Sequence, residues 1–155
     1  YDHFERAPAI YTDASKETSF AGGGYFSLCG SYDFWEFGSS AKRHPIDYLE
    51  GAAVLRAAEN LGSTWKNKIV PIFIDNSAFQ GAFRKGRSKA PRLNILLQQL
   101  FTLSVKYDCV LEPHWISTHD NIFADALSRG RLCAFKDHIR EHFRGDFHRH
   151  RHRGC

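Results

Sequence analysis

The stretch KIVPIFID, residues 68–75, limits the architecture more than any other part of this 155-residue chain. Apolar residues run unbroken from Ile69 to Ile74, and a carboxylate, Asp75, closes the run. Such a run suits a central strand covered on both faces rather than an edge strand that alternates. A covered central strand needs helices layered on its sheet, which points to an α/β architecture. Pro71 lacks the N–H that a sheet ladder uses, so a bulge or a late strand start is expected there.

The flanking patterns extend this frame. AIYTDAS (9–15), AGGGYFSL (21–28) and YDFWEFG (32–38) read as three strands with short links, an antiparallel meander, with the glycines forming a turn that feeds the second strand. Residues 1–8 read as an irregular lead-in. From Ile46 the period becomes helical: Leu49, Ala53, Val54, Ala57, Ala58 and Leu61 recur at threes and fours, and Gly62 supplies a stop. A short helix is expected over 76–83 and an amphipathic one over 91–105, opened by Pro91 and lined by Leu93, Leu96, Leu97, Leu100 and Leu103. CVLEPHWI (109–116) is a fifth strand, 121–128 a short helix and 132–143 another. This order predicts a five-stranded mixed sheet, three antiparallel strands and then two parallel ones, flanked by helices. The domain runs over 9–130, and 131–155 forms a C-terminal helix and a basic His/Arg-rich tail.

Bulk properties narrow the setting. An apolar content of 43% and an aromatic content of 14% indicate a packed globular chain. No apolar run approaches a membrane-spanning length, and no charged-then-apolar signal pattern opens the chain. The absence of Met suggests a piece of a longer polypeptide or a processed product. Cys29, Cys109, Cys133 and Cys155 are scattered without a Cys-x-x-Cys pair, which argues against zinc and a disulfide framework and for a reducing, intracellular compartment, with cytoplasmic particle and nucleus both open.

The net charge of +4 is unevenly spread. Residues 1–83 carry 7 Lys/Arg against 10 Asp/Glu, whereas RKGRSKAPR (84–92) holds five basic residues and no acid. Between 136 and 155 there are six basic residues against three acids, with five histidines. Basic charge concentrated on two segments of a mildly acidic body points to a polyanion partner, although the tail by itself reads as a solvated, mobile end.

Four acids occupy costly positions. Asp13 ends the first strand and Asp75 the fourth. At 100° per residue, Ile46, Ala53, Ala57 and Leu61 fall within about 80° of one another, and Glu50 lies inside that arc. Asp125 sits between Ala124 and Ala126 in a short helix. Singly, each has an ordinary role as a turn former, a helix cap or an edge residue reaching water. Together they make an oxygen-only donor set, which suits a hard cation such as Mg²⁺ rather than zinc. Two such ions about 4 Å apart activate a water and stabilise the leaving oxygen of a phosphodiester.

These segments resemble the ribonuclease H domain attached to retroelement reverse transcriptases, over roughly residues 9–130. YTDAS is similar to the family's first-strand motif, GGGYFSL to its second strand, HPIDYLEGAAVLRA to the helix carrying its glutamate, and IFIDNS to the strand carrying its second aspartate. WISTHDNIFADALSR (115–129) resembles the closing motif of gypsy-type and DIRS-type elements, and DNSAFQGAFRKGRSKAPRLN leans toward the DIRS type.

The resemblance implies a ribonuclease H-like fold and a metal-dependent endoribonuclease that hydrolyses the RNA strand of RNA/DNA hybrids during reverse transcription. Asp13, Glu50, Asp75 and Asp125 would bind two Mg²⁺ ions, with Mn²⁺ as a substitute. His119 matches a loop histidine that assists proton transfer or product release. Ser15 and Asn76 fall where the family touches nucleic-acid backbone, and both also suit turn and cap roles. The short spacing after residue 83 leaves no room for the basic handle helix of cellular bacterial enzymes. Arg84, Lys85, Arg87, Lys89 and Arg92 would then supply the phosphate contacts. Asp47 stands where cellular enzymes often place a polar amide. The implied partners are an RNA/DNA hybrid and a reverse transcriptase domain of the same polyprotein, with no membrane. The alternative is a non-catalytic module of this fold that holds nucleic acid or a partner.

Overall fold

A computed structural model describes residues 3–150. In chain order the elements are β1 (Glu5–Arg6), β2 (Ile10–Lys16), β3 (Ala21–Ser27), β4 (Ser31–Glu36), α1 (Ser39–Lys42), α2 (Ile46–Leu61), β5 (Lys68–Ile74), α3 (Ser77–Lys85), α4 (Pro91–Lys106), β6 (Val110–Trp115), α5 (Ile122–Ser128), α6 (Leu132–His142) and β7 (His148–Arg149). β2, β3 and β4 form the antiparallel meander, and β5 pairs parallel with β2 on one edge and with β6 on the other. The mixed sheet is the expected one, with two two-residue strands added to the five. β1 continues the edge of β5 that β2 uses, and β7 adds to the free edge of β4.

Pro71 causes no bulge, because β5 runs unbroken from Lys68 to Ile74. The Ile69 carbonyl accepts from the Ala7 N–H at 2.8 Å, so the backbone of every second residue, Pro71 included, faces the β1/β2 edge. That edge is itself broken between Arg6 and Ile10, and the missing N–H falls opposite the break. Nor is β5 covered equally on both faces. Val70, Ile72 and Ile74 are buried, while Ile69, Pro71 and Phe73 are half-buried.

Side chains that alternate along the strands feed two cores. On one face Ile10, Tyr25, Val70, Ile72 and Ile74 pack beneath Val54, Ala57, Ala58 and Leu61 of α2 and Leu93, Leu96, Leu97 and Leu100 of α4. On the other, Phe26 and Tyr32 meet Ala126 and Leu127 of α5 and Phe135 and Ile139 of α6. Adjacent Tyr25 and Phe26 therefore serve opposite layers, as a pleated strand requires.

Of the two glycine readings, the stop at Gly62 holds, since α2 ends at Leu61, and the turn at Gly22–Gly24 does not. Gly62 keeps right-handed helical backbone and leads into a 3₁₀ turn, and a Cβ there would lie 2.5 Å from the Tyr107 ring. Gly22–Gly24 lie inside β3 rather than in a turn before it. A Cβ on Gly22 would sit 2.1 Å from the Ser128 carbonyl oxygen. The bare strand is what lets α5 lie directly on the sheet.

The chain beyond Arg129 is tied to the body as far as it is described. Phe143 and Phe147 close on Phe26 with ring centroids 5.7 and 5.0 Å away. The His148 N–H donates to the Gly30 carbonyl and the His150 N–H to the Tyr32 carbonyl, both at 2.7 Å. Arg149 Nε donates to Asp33 Oδ1 at 3.0 Å, and its guanidinium lies 4.0 Å over the Phe34 ring. The expected mobile tail thus begins as an edge strand, because Arg149 meets a carboxylate that is completely buried. Residues 151–155 lie outside the described residues.

Gly22→Ala forces a methyl into a backbone oxygen and should lower unfolding stability by about 2–3 kcal/mol. Gly81, in α3, has open space beyond its Cα. Gly81→Ala should instead stabilise by about 0.5–1 kcal/mol. Urea unfolding of both variants checks the pair; equal effects would contradict the close approach of α5.

Candidate active site

Parallel pairing of β2 and β5 aligns Thr12 with Ile74, and their next residues are Asp13 and Asp75. The two aspartates therefore lie side by side just past the last paired residues, Asp75 beyond the end of β5 and Asp13 within β2, which runs on to Lys16 rather than ending at Asp13 as the sequence suggested. Thr12 Oγ1 reinforces the pair by donating to the Phe73 carbonyl at 3.2 Å. Helix α2 brings Glu50 in on its buried stripe beside Leu49, Ala53 and Ala57. Carboxylate oxygens of Asp13, Glu50 and Asp75 converge within 4.8 Å of one another. Asp13 and Glu50 are each only 3% exposed, and Asp75 is half-buried.

Few protein groups answer this charge. The Ala14 N–H donates to Glu50 Oε1 at 3.2 Å, and the Ser128 hydroxyl donates to Asp13 Oδ2 at 2.8 Å. Glu50 Oε2 is buried without any hydrogen-bond partner. Among the described residues, no Lys, Arg or His forms an ion pair with these three acids. Burial first, and the neighbouring Asp75 second, push the Asp13 carboxyl up to about 8. Burial and the facing Asp13 and Asp75 raise Glu50 well above the usual carboxylate range, and burial also raises Asp75. Buried carboxylates with an orphaned oxygen and no cation fit a divalent metal ion, since oxygen-only donors are what Mg²⁺ takes.

Asp125 stands next to this cluster without joining it. It lies in the first turn of α5, and its Oδ1 accepts from Arg129 Nε at 3.0 Å. Its charge still reaches Asp75, whose carboxyl it helps to raise. His119 is exposed on the loop between β6 and α5. Ser15, expected at a nucleic-acid contact, is turned inward and donates to the Ser128 carbonyl at 2.8 Å. Asn76 caps α3, its Oδ1 accepting from the Phe79 N–H at 2.9 Å.

Four of the five basic residues, Arg84, Lys85, Arg87 and Lys89, are exposed where α3 ends and the loop to α4 begins. The loop is braced by Asn94, which accepts from the Ser88 N–H at 2.8 Å and donates to the Ser88 carbonyl at 2.6 Å. Arg92 is committed elsewhere: its Nε and a terminal nitrogen donate to the two oxygens of Asp47 at 3.2 and 2.9 Å. That fork ties α4 to α2, and it explains why an acid stands at position 47. A cavity of about 850 Å³ between α4 and β6 contains no carboxylate in its lining.

Ser128, Asn121 and Arg129 were not singled out from the sequence, although all three lie within WISTHDNIFADALSR. Asn121 is buried, and its Nδ2 donates to the Thr12 carbonyl at 2.9 Å, which holds the start of α5 against β2. Fixed positions in a quoted motif were the available signal.

No protein-family model matches the chain, and no curated protein matches it in sequence. Solved structures do. Ribonuclease H1 from the halophilic archaeon Halobacterium salinarum superposes with a TM-score of 0.67 at 16% identity, covering 81% of this chain and 97% of that one. LC11-RNase H1, isolated from compost by a metagenomic approach, gives 0.56 at 19% identity, covering 84% and 96%. The N-terminal RNase H domain of a Mycobacterium tuberculosis protein, solved as a fusion with maltose-binding protein, gives 0.53 at 19%, covering 86% and 99%. At such identities the likeness is one of fold. The chain has the ribonuclease H fold, with a three-carboxylate cluster where the pairing of its two central parallel strands, β2 and β5, ends.

The raised carboxyls predict a metal-dependent pH profile. A group with a folded-state pKa above its unfolded value keeps protons that the unfolded chain releases, so stability falls as pH rises between the two. In EDTA the melting temperature should drop by about 5 °C between pH 5 and 8. Asp13→Asn should flatten the drop, and Mg²⁺ should raise the melting temperature more at pH 8 than at pH 5. A flat profile for the parent protein would contradict the buried, mutually repelling cluster.

Proposed function

We propose that this protein is a metal-dependent endoribonuclease that hydrolyses the RNA strand of RNA/DNA hybrids, acting in reverse transcription as one domain of a retroelement polyprotein. One observation carries the reading: three convergent carboxylates, two of them buried, with one oxygen orphaned and no ion-paired cation among the described residues, sit on a ribonuclease H fold. The retroelement setting, with a reverse transcriptase domain as neighbour, rests on the resemblance of WISTHDNIFADALSR and the basic loop to that family.

Asp13, Glu50 and Asp75, joined by Asp125, would hold two Mg²⁺ ions, with Mn²⁺ as a substitute. When bound, such ions supply an activated water and stabilise the leaving oxygen of the phosphodiester. The protein's own groups do the remaining work. Ser128 and the Ala14 N–H fix the orientations of Asp13 and Glu50. His119, exposed on its loop, would carry a proton to or from the cleaved strand. Arg84, Lys85, Arg87 and Lys89 grip phosphates about 13 Å from Asp75, the length of the nine-residue α3. Contacts of that kind read no base sequence, as a nuclease for arbitrary hybrids requires.

With a labelled RNA/DNA hybrid in Mg²⁺, the purified chain should cut the RNA strand. Asp75→Asn should lower the rate by at least about a hundredfold while hybrid binding persists. A parent chain that binds hybrid but leaves it intact, even in Mn²⁺, would instead be a non-catalytic binding module. Neutralising Arg84, Lys85 and Arg87 together should weaken hybrid binding and reduce the logarithmic salt slope by about 3. An unchanged slope would remove the loop from the binding surface.

A further inference from the structure

Arg129 is, among the described residues, the one cation paired with any of the four acids, and it holds the acid that lies outside the cluster. Its position follows from a short helix. Asp125 stands in the first turn of α5, and Arg129 follows the last residue one turn later, so the two side chains share a face. Nε donates to Asp125 Oδ1 at 3.0 Å, while a terminal nitrogen lies 3.4 Å from Glu17 Oε1. Asn121 and Ser128 fix both ends of α5 on the sheet, so the helix does not have to move for the Asp125 carboxylate to turn. What restrains that carboxylate is the guanidinium.

Arg129 also has somewhere to go. It borders a cleft of about 460 Å³ lined by Ala14, Ser15, Lys16, Ile46 and Arg129 itself. Two cations facing one cleft beside the carboxylate cluster make a seat for a phosphate of a bound strand.

We propose that Arg129 is a positioning residue that competes with bound metal for Asp125: it holds this carboxylate outside the cluster until a divalent ion draws it in. The released guanidinium then turns to the Lys16 cleft. This inference rests on the metal-dependent nuclease reading above. It adds an internal counter-ion whose displacement links metal uptake to phosphate binding. By linkage, whatever occupies the cleft and takes Arg129 away strengthens metal binding, and bound metal strengthens phosphate binding in return.

Calorimetric titration of the purified chain with MgCl₂ alone tests the competition, without relying on cleavage. Arg129→Gln should bind Mg²⁺ about two- to tenfold tighter than the parent, because no charge-assisted hydrogen bond must be broken first. In an Asp125→Asn background the same substitution should leave the affinity unchanged. Equal or weaker binding by Arg129→Gln overturns the proposal. So does equal tightening in the Asp125→Asn background, which would reduce Arg129 to a distant positive charge. Should Arg129→Gln fail to melt cooperatively in EDTA, Arg129→Lys, which lacks the planar fork, takes its place with the same expected direction. A parent chain that takes up no Mg²⁺ overturns this inference together with the nuclease reading; uptake without the Arg129 effect overturns this inference alone.

Discussion

Mutual repulsion among Asp13, Glu50 and Asp75 is the constraint around which this fold is arranged. Three carboxylates within 4.8 Å, two of them nearly sealed from water, would normally neutralise one another by binding protons or recruit an arginine. The raised carboxyls of Asp13, Glu50 and Asp75 are the first response, and among the described residues no ion pair supplies the second. One backbone N–H and one serine hydroxyl reach in, and an oxygen of Glu50 is left without a partner. A stability-driven design would have filled that position with an apolar residue, since α2 is otherwise buried there by Leu49, Ala53 and Ala57. The cluster is therefore held together by its scaffold against its own electrostatics. A scaffold that rigid has to be built from both sides of the sheet.

Each layer supplies one part of that restraint. On the α2 and α4 side, a continuous apolar core fixes the height of Glu50 above the strand ends. The Arg92–Asp47 fork then locks the starts of the two helices together. On the other side the restraint is closeness. Gly22 lets the Ser128 carbonyl approach the strand, which puts the Ser128 hydroxyl within reach of Asp13. Phe123 of α5 stacks on Phe26 at 4.8 Å, and Phe26 in turn touches Phe135, Phe143 and Phe147. The C-terminal segment thus backs the helix that carries Asp125, and the Arg149–Asp33 pair anchors that segment to the sheet edge.

What could be read from the sequence divides along physical lines. Helices α2 and α4 were legible because a long apolar period of three to four residues has few other solutions. Asp13, Glu50 and Asp75 stood out because each interrupts an apolar pattern, and the structure brings these three together. Asp125 interrupts a pattern as well and was read with the other three, yet nothing local shows that Arg129, one helical turn on, holds it outside their cluster. Arg92 belongs to a basic run, and nothing local reveals that its partner, Asp47, lies 45 residues earlier. The coverage of β5 was overread for a related reason, since composition shows that a strand is apolar without showing which face a helix reaches. β1 and β7 have two residues each, too few for any period, and exist only because a neighbouring edge was open.

For the proposed nuclease, the layout of charge would separate holding a nucleic acid from cutting it. The exposed cations Arg84, Lys85, Arg87 and Lys89 stand a helix-length away from the carboxylates, so they can neutralise phosphates without neutralising the site. A lysine placed among Asp13, Glu50 and Asp75 would relieve their repulsion and, by the same act, abolish the reason for a divalent ion to bind. Among the described residues Arg129 is the exception to this separation, and it is directed at the one acid whose removal leaves the other three still convergent. The geometry therefore keeps a strongly anionic centre vacant of fixed positive charge while surrounding it with cations that engage only what is brought to it. That division is what the proposed recruitment of metal and polyanion together would require, and a buried charge network that merely supports a fold would have no need of it.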